Sequence, residues 1–251
     1  MSNGSLYTHI QNKIATIEFG HPASNSFPSE LLERLTISFD ELSANDTVQV
    51  IILKSEGGKT FCAGASFDEL IAISTVEEGK KFFLGFANVI NAMRKCSKLI
   101  IGRVQGKAVG GGIGLAAACD YCFATEKASI KLSEFTIGIG PFVIAPAVAR
   151  KIGLAALSEL TLDAANWQNA YWAKEKGLFS KVFESIGEMD KEVDNLVLRL
   201  SQYNPEALKE MKKVLWEGTG NWDSLLDERA KISGKLVLSK TTKSALLKFK
   251  K

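Results

Sequence analysis

The chain has few of the residues from which metal sites and disulfide frameworks are built. Its 251 residues include two histidines, His9 and His21, and four cysteines. Cys119-Asp120-Tyr121-Cys122 has C-x-x-C spacing, but a zinc site needs a second pair or histidines at ligand spacing. Both histidines lie far upstream, and the other two cysteines are isolated. We therefore predict no metal site and interpret the cysteines as reduced, buried apolar side chains.

Long apolar runs and a large excess of charge are also missing. No segment approaches the roughly 18 apolar residues that a membrane span requires, and the first residues contain no apolar signal core. The net charge of +3 is too small to indicate a nucleic-acid surface. We expect a cytoplasmic protein with no nucleic-acid or membrane partner. Residues 240–251 form a lysine-rich amphipathic tail, which leaves RNA or membrane-surface binding open, although such tails are usually solvated or contact another subunit.

Hydrophobic periodicity predicts an α/β fold with a helical last third. Strands and helices alternate up to about residue 146, and helices dominate after it. We expect residues 1–190 to form the α/β core and residues 191–251 a helical C-terminal oligomerisation region. The strands are predicted at 6–11, 14–19, 48–53, 99–105, 121–125 and 181–183. The helices are predicted at 29–42, from about 67, and at 75–96, 113–119, 147–152, 154–162, 169–176, 189–200, 205–216 and 222–238.

A run of three glycines, Gly110-Gly111-Gly112, separates a predicted strand from a predicted helix. The first N–H groups of a helix lack internal partners and carry the positive end of its dipole. Glycines at that point let a ligand approach the bare backbone. The turn therefore predicts a site for an anion, either a bound one or one that exists only in a transition state.

One interpretation of this turn is dinucleotide binding. The segment from Gly112 to Ala117 fits G-x-G-x-x-A, and Glu134 lies 20 residues after Gly114. The fingerprint should follow its strand directly, whereas residues 106–109 intervene. The acidic residue should also end the next strand, whereas residues 121–125 come before it. Both departures disfavour a nucleotide site.

The other interpretation is an oxyanion hole, in which one N–H comes from the glycine turn and one from the small-residue loop 63–65. Four motifs favour it. They are the segment Phe61-Cys62-Ala63-Gly64-Ala65, the segment from Val104 to Gly112, the pair Cys119-Asp120, and the E-x3-G-x2-P pattern from Glu134 to Pro141. Together they resemble the crotonase superfamily, the enoyl-CoA hydratase/isomerase family, over essentially the whole chain.

The resemblance implies a fold, an assembly and a substrate class. The family fold is a spiral of ββα units with a helical C-terminal region, assembled as homotrimers or as hexamers. Its substrates are acyl-CoA thioesters, and coenzyme A is then part of the substrate, so no cofactor is expected. By motif position, Ala65 and Gly111 should donate the two N–H groups of the oxyanion hole. The substrate and CoA groove should include Ala23, Ala63, Ser66, Phe67, Asp68, Gly110 and Phe142.

Two positions depart from the family pattern. A basic residue is frequent at the position of Asp68, which weakens any phosphate contact there. The family commonly has glycines shortly after Pro141, whereas this chain has Phe142-Val143-Ile144-Ala145. We expect these bulkier side chains to reshape the acyl pocket.

The catalytic carboxylates decide the reaction that the resemblance implies. Family hydratases hold a water between two glutamates; the second aligns with Glu134, and the first aligns with Gly114, which has no side chain. We therefore predict a 3-enoyl to 2-enoyl isomerase with Glu134 as its sole acid/base. A hydratase or another crotonase-type lyase remains open, as does a non-catalytic acyl-CoA-binding protein.

Two further expectations concern single carboxylates. A base in this role needs a raised pKa, which the apolar residues Phe135, Ile137, Phe142 and Ile144 are expected to supply around Glu134. Asp120 is interpreted as a structural, buried aspartate at a helix end.

Overall fold

The computed structural model describes residues 3–248. Its strands are β1 (Ser5–Gln11), β2 (Ile14–Gly20), β3 (Val50–Ser55), β4 (Thr60–Cys62), β5 (Leu99–Val104), β6 (Lys107–Val109), β7 (Tyr121–Thr125), β8 (Ser129–Lys131), β9 (Gln168–Asn169) and β10 (Lys181–Phe183). Its α-helices are α1 (Ser29–Ala44), α2 (Phe67–Ala72), α3 (Val76–Lys95), α4 (Gly111–Ala118), α5 (Ala145–Leu162), α6 (Ala170–Glu175), α7 (Ile186–Leu200), α8 (Pro205–Leu215), α9 (Trp222–Leu236) and α10 (Lys240–Lys248). A 3₁₀ turn covers Glu134–Ile137.

The strands form two sheets that share one repeating unit. The larger sheet has the order β1-β2-β3-β5-β7-β10, and the smaller has the order β4-β6-β8-β9. β3, β5 and β7 each contribute to the larger sheet, and the strand that follows each of them contributes to the smaller one. A helical segment then returns the chain to the next unit. This is the predicted spiral of ββα units with a helical C-terminal region.

The smaller sheet was missed by the sequence pattern. β4, β6 and β8 have three residues each, which is too short to show a period-two alternation. The prediction that residues 106–109 separate the glycine turn from its strand was therefore wrong, because β6 ends one residue before Gly110. The second objection to a dinucleotide site still holds, since β7 lies between that turn and Glu134.

The long elements follow the predicted periodicity closely, and local signals explain where they begin and end. Thr75 and Glu78 form the capping box expected at the start of α3. The two helices predicted at 147–152 and 154–162 follow each other within α5, which is kinked at Gly153, where φ is +76° and the backbone is not helical. The apolar faces of α1, α3 and α4 bury one large core against the sheets.

The C-terminal helices pack against their own chain. α9 crosses α3 closely because Gly79 and Gly234 face each other, and a Cβ on Gly79 would lie 2.8 Å from the Gly234 Cα. The described part of the lysine-rich tail is α10, whose Thr242 Oγ1 donates to the Gly138 carbonyl at 3.0 Å. One face of α10 packs on the chain itself through Thr242 and Leu246, while its lysines stay exposed; a contact of the tail with another subunit stays a prediction, and residues 249–251 lie outside the described residues. The predicted boundary at residue 190 falls inside α7, and the division into two regions stays a prediction.

Asp120 anchors α8 to the core. Its side chain accepts from the backbone N–H of Ile100 at 2.7 Å, from Lys212 Nζ at 2.7 Å and from Trp216 Nε1 at 2.7 Å. The carboxylate and the Lys212 ammonium are 4% and 3% exposed, so this ion pair is fully buried. The structure confirms the structural interpretation of Asp120.

The four cysteines are buried and free. Burial raises the pKa of the Cys62 thiol to about 12 and the pKa of the Cys122 thiol to about 12, so both thiols stay protonated at neutral pH. Across residues 3–248, no helix combines the length and apolar character needed to cross a bilayer.

Candidate active site

A cavity of about 300 Å³ lies where the C-terminal ends of β4, β6 and β8 meet α2, α3, α9 and the segment before α5. It contains the predicted catalytic residue and both predicted N–H donors. Its walls are mainly apolar, and its lining residues are Ala63, Gly64, Ala65, Phe67, Leu70, Phe82, Phe83, Phe86, Val109, Gly110, Gly111, Lys131, Ser133, Glu134, Thr136, Ile137, Ile139, Gly140, Pro141, Val143, Ile144 and Ser233.

Glu134 brings a buried carboxyl group into this cavity. The residue begins the 3₁₀ turn that follows β8, and its Oε2 atom is enclosed without a hydrogen-bond partner among the described residues. Burial raises the pKa of Glu134 to about 7, while the N–H of its own backbone lowers that pKa to a smaller extent. An enclosed carboxyl oxygen without a partner costs free energy, and such groups cluster at functional sites. This residue is therefore equipped to gain and lose a proton near neutral pH.

The glycine turn fits closely against that carboxyl. Gly110 has φ +52°, a conformation that a side chain disfavours. A Cβ built on Gly110 would also lie 2.8 Å from Glu134 Oε1. Both the backbone conformation and the space for the carboxyl therefore require glycine at position 110.

Two backbone N–H groups beside Glu134 have no acceptor within the described chain. The Gly64 carbonyl accepts from the Phe27 N–H, and the Phe27 carbonyl accepts from the Ser66 N–H, both at 2.8 Å. The Ala65 N–H lies between these bonds and donates to no described residue. The Gly110 N–H donates to the Lys131 carbonyl at 3.0 Å, whereas the Gly111 N–H, at the first position of α4, is left without an intrahelical acceptor.

The loops that carry these two N–H groups touch each other. A Cβ built on Gly64 would lie 3.6 Å from the Gly111 nitrogen. Backbone N–H groups that are fixed in position and free of acceptors can stabilise negative charge on a substrate oxygen. The arrangement is thus compatible with an oxyanion hole made by Ala65 and Gly111 beside the carboxyl of Glu134.

The space next to Gly114 is occupied by an apolar side chain. A Cβ built on Gly114 would lie 2.6 Å from Ile144 Cγ2 and 2.9 Å from Ile144 Cβ. The missing side chain at Gly114 and the bulky segment after Pro141 are therefore linked in space, because Ile144 fills the volume into which a side chain at position 114 would project. A second carboxylate at that position would need both changes to be reversed.

The structure brings only part of the predicted groove into the cavity. Ala63, Ala65, Phe67 and Gly110 line it, whereas Ala23, Ser66, Asp68 and Phe142 do not. The exposed Ala23 loop lies next to Ala63 because the Ser24 carbonyl accepts from the Ala63 N–H at 3.1 Å. Ser66 caps α2 through its Oγ, which accepts from the Glu69 N–H. The CoA contacts assigned to these residues stay predictions.

The apolar surroundings of Glu134 differ partly from the expectation. Ile137 and Ile144 line the cavity. Phe135 is 46% exposed, and the ring of Phe142 packs against Gly140, where an added Cβ would lie 2.6 Å from Phe142 Cζ. Neither phenylalanine lines the cavity that encloses the carboxyl. Val143 also lines the cavity, although the sequence analysis did not predict it among the apolar residues around Glu134.

Two helices that are distant in the sequence, α3 and α9, also contribute residues to the cavity wall. Phe82 and Phe86 of α3 were interpreted as core residues; they are buried and also form the cavity wall. Ser233 of α9 lines the same cavity and is 1% exposed. Nothing in the local sequence around Ser233 signals this, because its place depends on the crossing of α9 over α3.

Comparisons with known proteins agree with this geometry. The family model described as enoyl-CoA hydratase/isomerase matches residues 9–248. The chain is 31% identical over 193 residues to the peroxisomal Delta(3,5)-Delta(2,4)-dienoyl-CoA isomerase of Arabidopsis thaliana, covering 71% of this chain and 68% of that protein. It is 28% identical over 254 residues to the short-chain-enoyl-CoA hydratase of Clostridium acetobutylicum, covering 99% and 95% of the two chains.

A solved structure supports the fold. The crystal structure of enoyl-CoA hydratase from Bacillus halodurans superposes with a TM-score of 0.88 at 21% identity, covering 97% of this chain and 99% of that one. With the family model matched over residues 9–248, the chain belongs to the enoyl-CoA hydratase/isomerase family of the crotonase superfamily.

Proposed function

We propose that this protein is an isomerase that converts a 3-enoyl-CoA into a 2-enoyl-CoA. The observation that carries the proposal is the one carboxyl among the residues that line the cavity, Glu134, whose Oε2 atom is enclosed without a hydrogen-bond partner among the described residues and whose pKa is raised by burial to about 7. A group that titrates near neutral pH can both take and return a proton.

The proposed reaction is an internal proton transfer. Glu134 removes a proton from Cα of the substrate, and the electron pair moves toward the thioester oxygen to form a dienolate. The N–H groups of Ala65 and Gly111 donate to that oxygen, where charge grows in the transition state. Glu134 then delivers the same proton to the γ carbon, and the double bond forms between Cα and Cβ. No water, second substrate or cofactor is consumed.

The contact between Gly114 and Ile144 supports one carboxylate over two. Hydration needs a water activated on one side and a proton delivered to Cα. With Ile144 against Gly114, the cavity offers Glu134 alone among the described carboxylates. An apolar wall at that place also excludes water, which favours return of the proton to carbon.

Hydration of a 2-enoyl-CoA is the second candidate. Its support is the relative named as a short-chain-enoyl-CoA hydratase, which matches 99% of this chain. In that case Glu134 would activate the water alone, without the partner that the family pattern places at position 114.

Product analysis separates these candidates. Wild-type protein is incubated with a 3-enoyl-CoA and, separately, with the matching 2-enoyl-CoA. Isomerase activity produces the 2-enoyl ester at unchanged mass, whereas hydration adds the mass of one water to the 2-enoyl ester. If the hydroxyacyl ester is the main product from the 2-enoyl substrate, the protein is a hydratase and the isomerase proposal is wrong. Tight binding of both esters without turnover would identify a non-catalytic acyl-CoA-binding protein.

We also retain the assembly and compartment as proposals. A homotrimer or hexamer in the cytoplasm is expected from the family resemblance. Exposed apolar side chains on α5, with Leu154 at 76% and Leu162 at 74% exposure, support burial against another subunit. Light scattering of the purified protein measures the mass of the assembly, and the mass of a monomer would contradict the proposed trimer or hexamer.

A further inference from the structure

The loop after β4, which carries one of the two proposed oxyanion donors, is bonded along its length to one short segment of the chain. Its Ala63 N–H donates to the Ser24 carbonyl at 3.1 Å, and its Gly64 carbonyl accepts from the Phe27 N–H at 2.8 Å. The Ser66 N–H then donates to the Phe27 carbonyl at 2.8 Å. These three bonds hold the loop on both sides of the donor, and we call residues 24–27 the pairing segment.

The donor between these bonds is the Ala65 N–H. The Gly64 N–H, one position earlier, donates to Cys62 Sγ at 3.3 Å. Within residues 63–66, the Ala65 N–H is therefore the one backbone donor without an acceptor in the described part of the chain. Because its neighbours are bonded to the pairing segment, the direction of this N–H depends on where that segment lies.

The pairing segment begins with a backbone conformation that most residues avoid. Ser24 has φ +56° and Asn25 has φ +55°. Both values lie in the left-handed region, which asparagine adopts more readily than most residues. Such conformations persist only where the surrounding structure holds them, and they cluster at functional sites. A specific contact is therefore needed to keep these two residues in place.

The side chain of Asn25 provides that contact. Its Nδ2 donates to the Glu56 carbonyl and to the Thr60 carbonyl, each at 2.9 Å. Its Oδ1 accepts from the His21 N–H at 3.0 Å. The residue is 8% exposed, so these bonds form largely away from water. One amide group thus ties the pairing segment to the residue after β3 and to the first residue of β4.

We propose that Asn25 is a positioning residue for the oxyanion hole, and that it acts on the Ala65 N–H through the pairing segment. The inference rests on the oxyanion hole of the proposed function, and it holds for isomerisation and hydration alike, since both place charge on the thioester oxygen. Asn25 does not line the cavity. A fixed donor stabilises charge through its position, and a displacement of about 1 Å can cost roughly 100-fold in rate.

Two substitutions separate the side chain of Asn25 from its backbone conformation. Asn25→Gly removes all three side-chain bonds but tolerates the left-handed conformation, whereas Asn25→Ala removes the bonds and adds strain. We expect kcat for the enoyl-CoA ester that the wild type turns over to fall about 10- to 100-fold in Asn25→Gly. This is less than the roughly 100- to 1,000-fold loss on removal of an oxyanion donor. A wild-type kcat in Asn25→Gly would overturn the inference.

The infrared spectrum of a bound ester reports the donor position without turnover. Hexanoyl-CoA labelled with ¹³C at the thioester carbonyl is saturated, so it undergoes neither isomerisation nor hydration. Hydrogen bonds from the oxyanion hole lower the stretching frequency of this carbonyl relative to the free ester. With all of the ester bound, we expect a smaller lowering in Asn25→Gly than in the wild type. A variant that had lost only affinity for CoA would keep the full lowering.

Two further variants complete the test. Asn25→Asp keeps the shape and the acceptor for the His21 N–H but loses both donors; it should also reduce the lowering, and it serves where the glycine variant does not fold. Asn45→Ala is the matched control, because Asn45 Oδ1 accepts from the Thr47 N–H at 2.9 Å in a turn outside the cavity. It should change neither kcat nor the carbonyl frequency.

The outcomes distinguish the inference from the proposed function. A wild-type carbonyl frequency in Asn25→Gly or in Asn25→Asp would overturn the role of Asn25 while leaving the oxyanion hole in place. No lowering of the frequency in the wild type would overturn the oxyanion hole and the inference together. Hydration in place of isomerisation, with the expected frequencies, would change the proposed function and support the role of Asn25.

Discussion

The raised pKa of Glu134 predicts how the catalytic rate depends on pH. With a pKa of about 7, about half of the enzyme carries the active carboxylate at pH 7 and about 1% carries it at pH 5. We therefore expect kcat/KM for a 3-enoyl-CoA to fall about tenfold per pH unit below 7 and to level off above it. A carboxyl with an ordinary pKa would remain largely ionised at pH 5.

Initial rates between pH 5 and 9 give the profile directly, because the 2-enoyl product has a conjugated thioester that absorbs where the substrate does not. Circular dichroism at each pH verifies that the fold persists. A rate that stays constant down to pH 5 would refute the assignment of a buried, desolvated base.

The raised pKa of Glu134 also makes the free energy of unfolding depend on pH. The pKa of Glu134 is higher in the folded chain than in the unfolded one, so the folded state disfavours the charged form. This cost is absent below about pH 4.5 and is complete above pH 7, where a shift of this size corresponds to about 3 kcal/mol. Glu134→Gln should therefore stabilise the protein against urea more at pH 8 than at pH 5. An equal effect at both pH values would contradict the burial argument.

Two single variants and one double variant test other parts of the structure. Gly110→Ala should lower kcat about 100-fold, since its Cβ would displace the carboxyl of Glu134 and disfavour the turn, as steady-state kinetics would measure. Gly114→Glu combined with Ile144→Gly should create hydration of a 2-enoyl-CoA, detected by mass, whereas Gly114→Glu alone should not. Asp120→Asn should reduce the free energy of unfolding by about 3–5 kcal/mol, because Lys212 would remain as a buried, unpaired charge; urea denaturation measures it.

Each substitution has a contrasting control. Gly220→Ala introduces a Cβ with nothing within 4 Å and should leave kcat unchanged. Asp223→Asn breaks pairs at an aspartate that is 54% exposed and should cost less than about 1 kcal/mol. Full activity in Gly110→Ala, hydration by Gly114→Glu alone, or equal losses in the two aspartate variants would contradict the respective argument.

The extent to which the fold was predictable depended on element length. Long periodic segments such as α3 and the strands of the larger sheet follow the pattern because many side chains report the same face. β4, β6 and β8 were missed because three residues carry no period. The packing of α10 on the turn at Gly138 was missed because it joins residues 104 positions apart.

The candidate site divides in the same way. Motifs were enough to predict that Glu134, Ala65 and Gly111 come together, and all three line the cavity; their roles stay predictions. Ile144 against Gly114, Asn25 bonded to Thr60, and Ser233 in the cavity wall arise from tertiary packing. No local pattern marks these contacts, because each of them joins residues that are far apart in the sequence.

The most direct test of the central claim compares turnover of a 3-enoyl-CoA by the wild type and by Glu134→Gln, with the Kd of the ester measured in both. The account predicts that kcat falls about 100- to 10,000-fold in the variant while the Kd changes little, because the glutamine keeps the shape of the side chain and lacks a transferable proton site. An unchanged kcat in Glu134→Gln would contradict it.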